Sequence, residues 1–239
     1  MQTVRMLKNR VIFWWYYPAT LLFSLLEYKW SDYHSGIISN LIGGIEVSDG
    51  EILPIPMGRW LFIFGWFILI AGIEINRVKR LEVFEIYRHM SFRKWWVNRF
   101  VQIQILMLTI YIEMIAIWYG LENITGRKTD NILPIVVTFG LHMSVYIAIE
   151  ICANILFVKG LGAGILIIME GMSYVIAEQT RLDSLAIGMF VRSSRCIENG
   201  FSLPVIYGLE IILTALCCFF ILLIEKGGGL ENIIYRKME

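Results

Sequence analysis

Long apolar runs alternate with short polar segments over nearly the whole chain of 239 residues. A helix needs roughly 20 apolar residues to cross a hydrocarbon core of about 30 Å. Runs of this kind predict spans at 11–28, 58–77, 100–120, 133–158, 161–178 and 203–225. Backbone groups in lipid must find their hydrogen bonds within the protein, so the spans are expected to be helices. The pattern predicts an all-α membrane protein with six transmembrane helices in a single domain, residues 1–239.

The overall composition agrees with a membrane protein. Hydrophobic residues make up 57% of the chain, and the mean hydropathy is +0.65, well above that of an ordinary soluble domain. A net charge of +1 gives no support to nucleic-acid binding. The four cysteines lack metal-ligand spacing, and three lie in apolar runs, where packing is expected rather than disulfide bonding (Cys152, Cys196, Cys217 and Cys218).

Lysine and arginine are distributed unequally between the two sides of the predicted spans. Fourteen of the 21 fall in segments on the side of the two termini, and seven of these lie within 77–99. Positively charged segments are retained in the cytoplasm, so both termini are expected there. Four tryptophans lie near predicted interfaces, where an aromatic belt is expected (Trp60, Trp95, Trp96 and Trp118).

Two of the outer segments contain more than a simple turn. Residues 29–57 and 179–202 carry short apolar pieces between glycines, prolines or charged residues. Glycine and proline interrupt helices. Each segment is therefore expected to hold a short interfacial or re-entrant piece.

The cytoplasmic segment between the second and third spans has an amphipathic pattern. On a helical wheel, Val83, Ile86, Tyr87 and Met90 share one face with Phe84 at its flank, and charged residues including Arg88 lie opposite. Ser91 is placed to cap a following helix that continues into the third span. The pattern predicts a short amphipathic helix and a turn before that span. A helix lying on the membrane surface is one interpretation.

This segment also carries a family resemblance. The sequence Met90-Ser-Phe-Arg-Lys-Trp-Trp-Val-Asn-Arg99, together with Ile52-Leu-Pro-Ile-Pro-Met-Gly-Arg-Trp60, resembles ABC-2-type transporter permeases, in particular small permeases associated with bacteriocin and lantibiotic systems. The resemblance implies that the amphipathic helix is a coupling helix. It would dock on a separate ATP-binding subunit and transmit the motion of ATP-driven closure through Val83, Phe84, Ile86, Tyr87, Arg88 and Met90.

The same resemblance implies partners and a location. They are a dimer of separate ABC ATPase subunits, a second permease that is identical or a sister chain, and the lipid bilayer of a bacterial cytoplasmic membrane. The chain has no Gly-x-x-x-x-Gly-Lys-[Ser/Thr] sequence. We therefore expect ATP and Mg on the partner ATPase and no cofactor on this chain.

No motif predicts an enzyme. The chain has no His-Glu-x-x-His and no Gly-x-Ser-x-Gly sequence, so no catalytic or metal-binding residue is predicted. The expected function is the permease subunit of an ATP-binding-cassette exporter for a bacteriocin- or lantibiotic-like peptide or another amphipathic substrate. Two alternatives stay open: a non-transporting immunity or scaffold protein, and a proton-coupled secondary transporter.

Ionisable residues inside the predicted spans supply the second set of candidates. Glu27, Glu74, Glu178 and Glu225 lie near span ends and are expected at the interface, whereas the deeper set is Glu113, Glu150, Glu170, Glu210 and His142. A charge at the bilayer centre costs on the order of 3 kcal/mol or more, so the deep residues should face protein or water. They either line a path for a cationic substrate or join helices through hydrogen bonds.

The predicted orientation is testable by labelling with a membrane-impermeant thiol reagent, in a background without the four native cysteines. Because Lys128 is placed outside and Lys94 inside, Lys128→Cys should react in intact cells and Lys94→Cys should not. The reverse labelling pattern would overturn the orientation.

Overall fold

The computed structural model describes residues 18, 21–22, 24–26, 29, 36–48, 50–89, 92–156, 162–198 and 200–224. From residue 36 onward we number the helices α1 (Ile37–Ile42), α2 (Pro54–His89), α3 (Phe92–Thr125), α4 (Ile132–Leu156), α5 (Gly162–Thr180), α6 (Ser193–Glu198) and α7 (Leu203–Ile224). Two 3₁₀ turns, Asp183–Leu185 and Phe190–Arg192, lie between α5 and α6. Within the described residues every regular element is helical, which confirms the all-α prediction.

Four helices are long and apolar enough to cross a membrane, over Pro54–Lys79, Lys94–Thr125, Ile132–Leu156 and Leu203–Leu223. They coincide with the second, third, fourth and sixth predicted spans, so the membrane prediction is confirmed at this level. The fifth predicted span is helical as α5, but this helix of 19 residues carries Glu170 and Glu178 and is not one of the four. The first, at 11–28, lies largely outside the described residues.

The predicted coupling helix is not a separate helix. Residues 81–89 are helical, as predicted, but they continue α2 without a break from the second span. Residues 73–89 contain neither glycine nor proline, so nothing in the local sequence interrupts the backbone hydrogen bonds. Met90, Ser91 and the side chains of residues 80–93 lie outside the described part of the structure.

The bundle is organised around α2 and α4. Helix α2 packs against α1, α3, α4 and α5, and α4 packs against α1, α2, α3, α5 and α7. All four tryptophans of the predicted aromatic belt are buried inside the protein: Trp60, Trp95, Trp96 and Trp118. The belt prediction is therefore wrong for these residues. Their large rings fill space between helices, as in Trp60, whose ring meets Phe139 edge-on at 5.2 Å.

Within the segment 29–57, where a short interfacial or re-entrant piece was predicted, the structure has the short buried helix α1. Its apolar residues are fully buried. Its first amide groups find acceptors on the α3–α4 turn: the Ile38 N–H donates to Glu122 Oε1 at 2.8 Å, and the Ser39 N–H donates to Thr129 Oγ1 at 3.1 Å. These are the unpaired donors that every helix N-terminus presents. Glu122 and Thr129 therefore fix a buried helix of only six residues.

The two outer segments are joined by one buried arginine. Arg192 is 0% exposed. Its guanidinium pairs with Glu178 Oε2 and with Asp183 Oδ1, the latter at 2.8 Å. It also donates to the carbonyl oxygens of Ile45 at 2.9 Å and Glu46 at 3.2 Å. We call Glu178, Asp183 and Arg192 the outer ion cluster. Glu178 was expected at the interface, but the structure buries it inside the protein.

The outer ion cluster yields a stability prediction. Removing one partner of a buried ion pair leaves an uncompensated charge and costs about 3–5 kcal/mol. Arg192→Ala should therefore lower the unfolding temperature of the purified protein in detergent. The exposed Lys128→Ala is the matched control, because surface substitutions change stability by only about 0.5 kcal/mol.

The effect of Arg192→Ala can also be measured locally, through the reactivity of the Cys196 thiol. Burial, followed by the Asp183 carboxylate, raises the pKa of the Cys196 thiol, which is a poor nucleophile in this state. Loosening of the outer segments by Arg192→Ala should make Cys196 react faster with a thiol reagent. Unchanged reactivity together with an unchanged unfolding temperature would show that the outer ion cluster does not hold these segments.

Candidate functional site

The deepest polar site lies where four helices meet. His142 occupies the middle of α4, and it is approached by Glu170 of α5, Glu210 of α7 and Trp60 of α2. We call these four residues the His142 cluster. They are 7%, 1%, 2% and 2% exposed, respectively. The site is therefore inside the bundle and remote from water.

The imidazole bridges the two carboxylates. His142 Nδ1 lies 2.9 Å from Glu210 Oε1, and His142 Nε2 lies 3.0 Å from Glu170 Oε2. The Trp60 indole N–H donates to the other oxygen of Glu170 at 2.8 Å. Both oxygens of Glu170 are thus engaged, whereas Glu210 Oε2 has no hydrogen-bond partner among the described residues.

This arrangement limits where protons can reside. A protonated imidazole donates from both nitrogens and can serve both carboxylates, whereas a neutral imidazole donates from one only. If His142 is neutral, one of the two carboxyl groups must carry the proton and donate it to the ring. In either arrangement the three groups together hold one net negative charge. One further proton on Glu210 Oε2 would make the cluster neutral.

A loop and two aromatic rings pack around the imidazole of the cluster. A Cβ atom on Gly188, in the loop between the two 3₁₀ turns, would overlap the His142 ring, so only glycine allows this approach. The Phe64 ring lies 5.9 Å from His142, and the Tyr146 ring lies 4.9 Å from it. The loop that carries Gly188 is held in turn by Arg192.

The structure gathers only part of the predicted translocation path. It brings Glu170, Glu210 and His142 together. Glu150 lies on α4 about 12 Å further along the helix axis toward its C-terminal end, because eight residues separate it from His142. Glu113 lies on an exposed face of α3. The predicted set therefore does not line one continuous path within a single chain.

A cavity of about 400 Å³ lies between α3 and α4. Its walls are almost entirely apolar, and none of the predicted path residues lines it. Its few polar side chains are already paired, as the Ser144 hydroxyl donates to Gln104 Oε1 at 3.0 Å. The cavity is therefore separate from the His142 cluster and carries no ionisable carboxyl or imidazole group on its walls.

Three residues at or beside the His142 cluster were not predicted from the sequence to belong to it. Trp60 was placed in an aromatic belt, yet it is a hydrogen-bond donor inside the cluster. Tyr146, whose hydroxyl also faces the Glu170 carboxylate, was not singled out. Gly188 was treated as part of an apolar loop piece. Tyr146 could have been found from the sequence, because it lies four residues from both His142 and Glu150 and so shares their helix face.

Comparison with known proteins assigns the chain to no family. No protein-family model, no curated protein and no solved structure matches it. Its function has to be argued from its own residues and geometry.

The His142 cluster predicts a graded loss of stability. His142→Phe leaves two buried carboxylates facing an apolar ring and should cost about 3–5 kcal/mol. Trp60→Phe removes one hydrogen bond to a charged group and should cost about 1.5–3 kcal/mol. The measurement is reversible unfolding of the purified protein in detergent.

Trp118→Phe is the matched control for the loss of an indole N–H. Trp118 is fully buried, and its Nε1 has no acceptor among the described residues. Adding Glu170→Gln and Glu210→Gln to His142→Phe should recover much of the lost stability, because the unpaired charges are gone. If neutralisation gives no recovery, the cost of His142→Phe comes from packing and not from charge.

Proposed function

We propose that this chain is the membrane subunit of an ATP-driven exporter, powered by a separate ATP-binding subunit that docks on the cytoplasmic end of α2. The proposal combines the sequence resemblance to ABC-2-type permeases with one observation, the projection of α2 beyond its span. The substrate class proposed is an amphipathic or bacteriocin-like peptide. The proposed location is the cytoplasmic membrane of a bacterium.

The length of α2 supports a docking role. The helix has 36 residues, whereas roughly 20 are enough to cross a hydrocarbon core, and its apolar stretch is followed by the cationic residues Arg77 and Lys79. Ten further helical residues extend about 15 Å at 1.5 Å per residue. Their sequence presents an apolar stripe with Val83, Ile86 and Tyr87. An apolar stripe outside the lipid core needs a partner, and a groove on another protein is one that would bury it.

The base of this projection is tied to the helix that carries His142. Lys79 donates from Nζ to the carbonyl oxygen of Asn154 at 2.5 Å, close to the cytoplasmic end of α4. Because α2 is continuous from Pro54 to His89, force on its cytoplasmic end reaches the interior of the bundle along one rigid element. This link supports a role for the projection in transmitting motion.

The ATPase dimer and the second permease are further proposals that follow from the proposed exporter function. ATP and Mg would bind to the partner ATPase dimer, since this chain lacks a phosphate-binding Gly-x-x-x-x-Gly-Lys-[Ser/Thr] sequence. A second permease, identical or a sister chain, would complete the translocation path, because none of the predicted path residues lines the cavity between α3 and α4 of one chain. A surface helix of a scaffold or immunity protein is the competing interpretation of the same projection.

The docking proposal predicts that apolar residues on the projection contribute more than charged ones. Truncation of apolar anchors at an interface centre commonly costs about 2 kcal/mol or more. Phe84→Ala combined with Tyr87→Ala should therefore reduce co-purification of the ATPase with the tagged chain, or uncouple ATP hydrolysis from transport in liposomes. Glu82→Ala, on the opposite face, is the matched control and should have a much smaller effect.

The fold of the variant has to be checked in the same preparation. Unchanged unfolding of the double variant in detergent would show that the spans are intact, since the changed residues lie beyond Lys79. If the double variant retains its ATPase and full coupling, the projection is a surface helix. The exporter proposal would then lose its structural support.

A further inference from the structure

Helix α4 carries a polar stripe on its inner face. His142, Tyr146, Glu150 and Asn154 follow one another at four-residue intervals. Residues four apart lie one above the other on a helix, about 6 Å apart along the axis. The stripe therefore runs about 18 Å, from the centre of the span to the last turn of α4. We call these four residues the α4 stripe.

The cytoplasmic half of the α4 stripe holds unsatisfied oxygen atoms. Glu150 is 1% exposed and Asn154 is 2% exposed. Within the part of the chain that the structure describes, Glu150 Oε2 and Asn154 Oδ1 have no hydrogen-bond partner. Buried polar atoms are nearly always paired, so a carboxylate oxygen left open inside a span needs a reason. A charged carboxylate there would be especially costly.

Glu150 packs closely against two helix backbones, and no ion pair to its carboxylate is found among the described residues. A Cβ on Gly72 of α2 would lie 2.6 Å from Glu150 Oε1, and a Cβ on Gly162 of α5 would lie 3.2 Å from Glu150 Cγ. Glycine at both places lets the carboxyl group lie between two backbones. The ionisable residues on this part of α2 are Glu74, the exposed Arg77 and Lys79, and Lys79 donates to the carbonyl oxygen of Asn154.

The other end of the α4 stripe is the His142 cluster, which also has one open oxygen. Glu170 Oε1, Glu170 Oε2 and Glu210 Oε1 are each engaged by Trp60 or His142. Glu210 Oε2 is the fourth carboxylate oxygen and has no partner among the described residues. The cluster can therefore accept one more proton at this atom without losing any of its three existing hydrogen bonds.

Access to the cluster differs between the two sides of the membrane. Toward the outside, Gly188 lies directly against the His142 ring, and its loop is locked by the outer ion cluster. Toward the cytoplasm, the α4 stripe continues through Tyr146 and Glu150 to Asn154, two residues before α4 ends at Leu156. The polar connection from His142 thus leads to the cytoplasmic side.

We propose that Glu150 and the His142 cluster are two stations of a buried proton relay along α4, loaded from the cytoplasm. A proton from water binds Glu150 Oε2. It is then passed to the Tyr146 hydroxyl oxygen, which releases its own proton to the Glu170 carboxylate that it faces, and His142 passes a proton on to Glu210, where the added proton comes to rest. Glu150 returns to the carboxylate and Tyr146 to the phenol. One proton has moved and no other bond has changed. The inference is independent of any ATPase partner.

A proton fits the open atoms better than a metal cation does. Hard cations such as Mg²⁺ and Ca²⁺ require six or more oxygen ligands in a defined shell. The two open oxygens on the cytoplasmic half of the α4 stripe are a carboxylate and an amide oxygen on adjacent turns. A proton needs only one of them.

The test is infrared spectroscopy of the complete chain in lipid nanodiscs, following the C=O band of protonated carboxyl groups during pH titration and after a pH jump. Wild type should show two buried carboxyl groups that titrate. Glu150→Gln should remove one band and slow protonation of the other by about tenfold or more. Glu210→Gln should remove the second band alone and leave the rate at Glu150 unchanged.

Two further variants keep the test decisive if a carboxyl variant misfolds. Tyr146→Phe keeps the ring and removes only the hydroxyl, so it should slow arrival at Glu210 while the Glu150 band stays as in wild type. Glu198→Gln, on the exposed surface of α6, should change nothing. Equal rates at Glu210 in wild type, Glu150→Gln and Tyr146→Phe would overturn the relay. Band shifts produced by Na⁺ or K⁺ at constant pH would overturn it in favour of a cation site.

Discussion

Charge inside a lipid-facing bundle is tolerated only where protein groups replace the water that would otherwise surround it. This constraint governs which parts of the chain lie together. Arg192 needs two carboxylates and two carbonyl oxygens, and they come from α5, the 3₁₀ turns and the segment after α1. His142 needs two acceptors, and they come from α5 and α7. Apolar side chains in lipid gain little from choosing one neighbour over another, so these polar contacts specify the helix arrangement.

The same constraint makes the two sides of the protein different. At the end of the bundle that holds α1, Glu122 satisfies the first turn of a buried helix, and Arg192 holds the loop beside His142. At the opposite end, Glu150 Oε2 and Asn154 Oδ1 have no hydrogen-bond partner among the described residues, and Lys79 donates to the backbone of α4. Local opening is easiest where buried polar contacts are fewest. Exchange with water is therefore expected first at the end of the bundle that holds Asn154.

The sequence predicts the spans well because hydropathy is a local property, and four of the six are found where they were expected. It fails where an outcome depends on distant residues. Glu178 is close to a helix end, yet it is buried because Arg192, 14 residues further on, reaches back to it. The tryptophans lie near span ends, but packing between helices decides that they face inward. Glu170, Glu210 and His142 lie together because of the way the helices are arranged in the bundle. Hydropathy carries no information about that arrangement.

The predicted amphipathic helix is continuous with the second span for a physical reason that bears on function. A polar sequence that leaves the membrane does not by itself end a helix, and only glycine, proline or a capping side chain does so. Helix α2 therefore continues as one rigid element from its buried Trp60 to its last residue, His89. Trp60 bonds to Glu170 of the His142 cluster, and Lys79 bonds to the end of α4. A displacement of the projection would thus act on both ends of the α4 stripe at once. In the proposed exporter, that geometry would allow force applied to the end of α2 and protonation of the α4 stripe to influence each other.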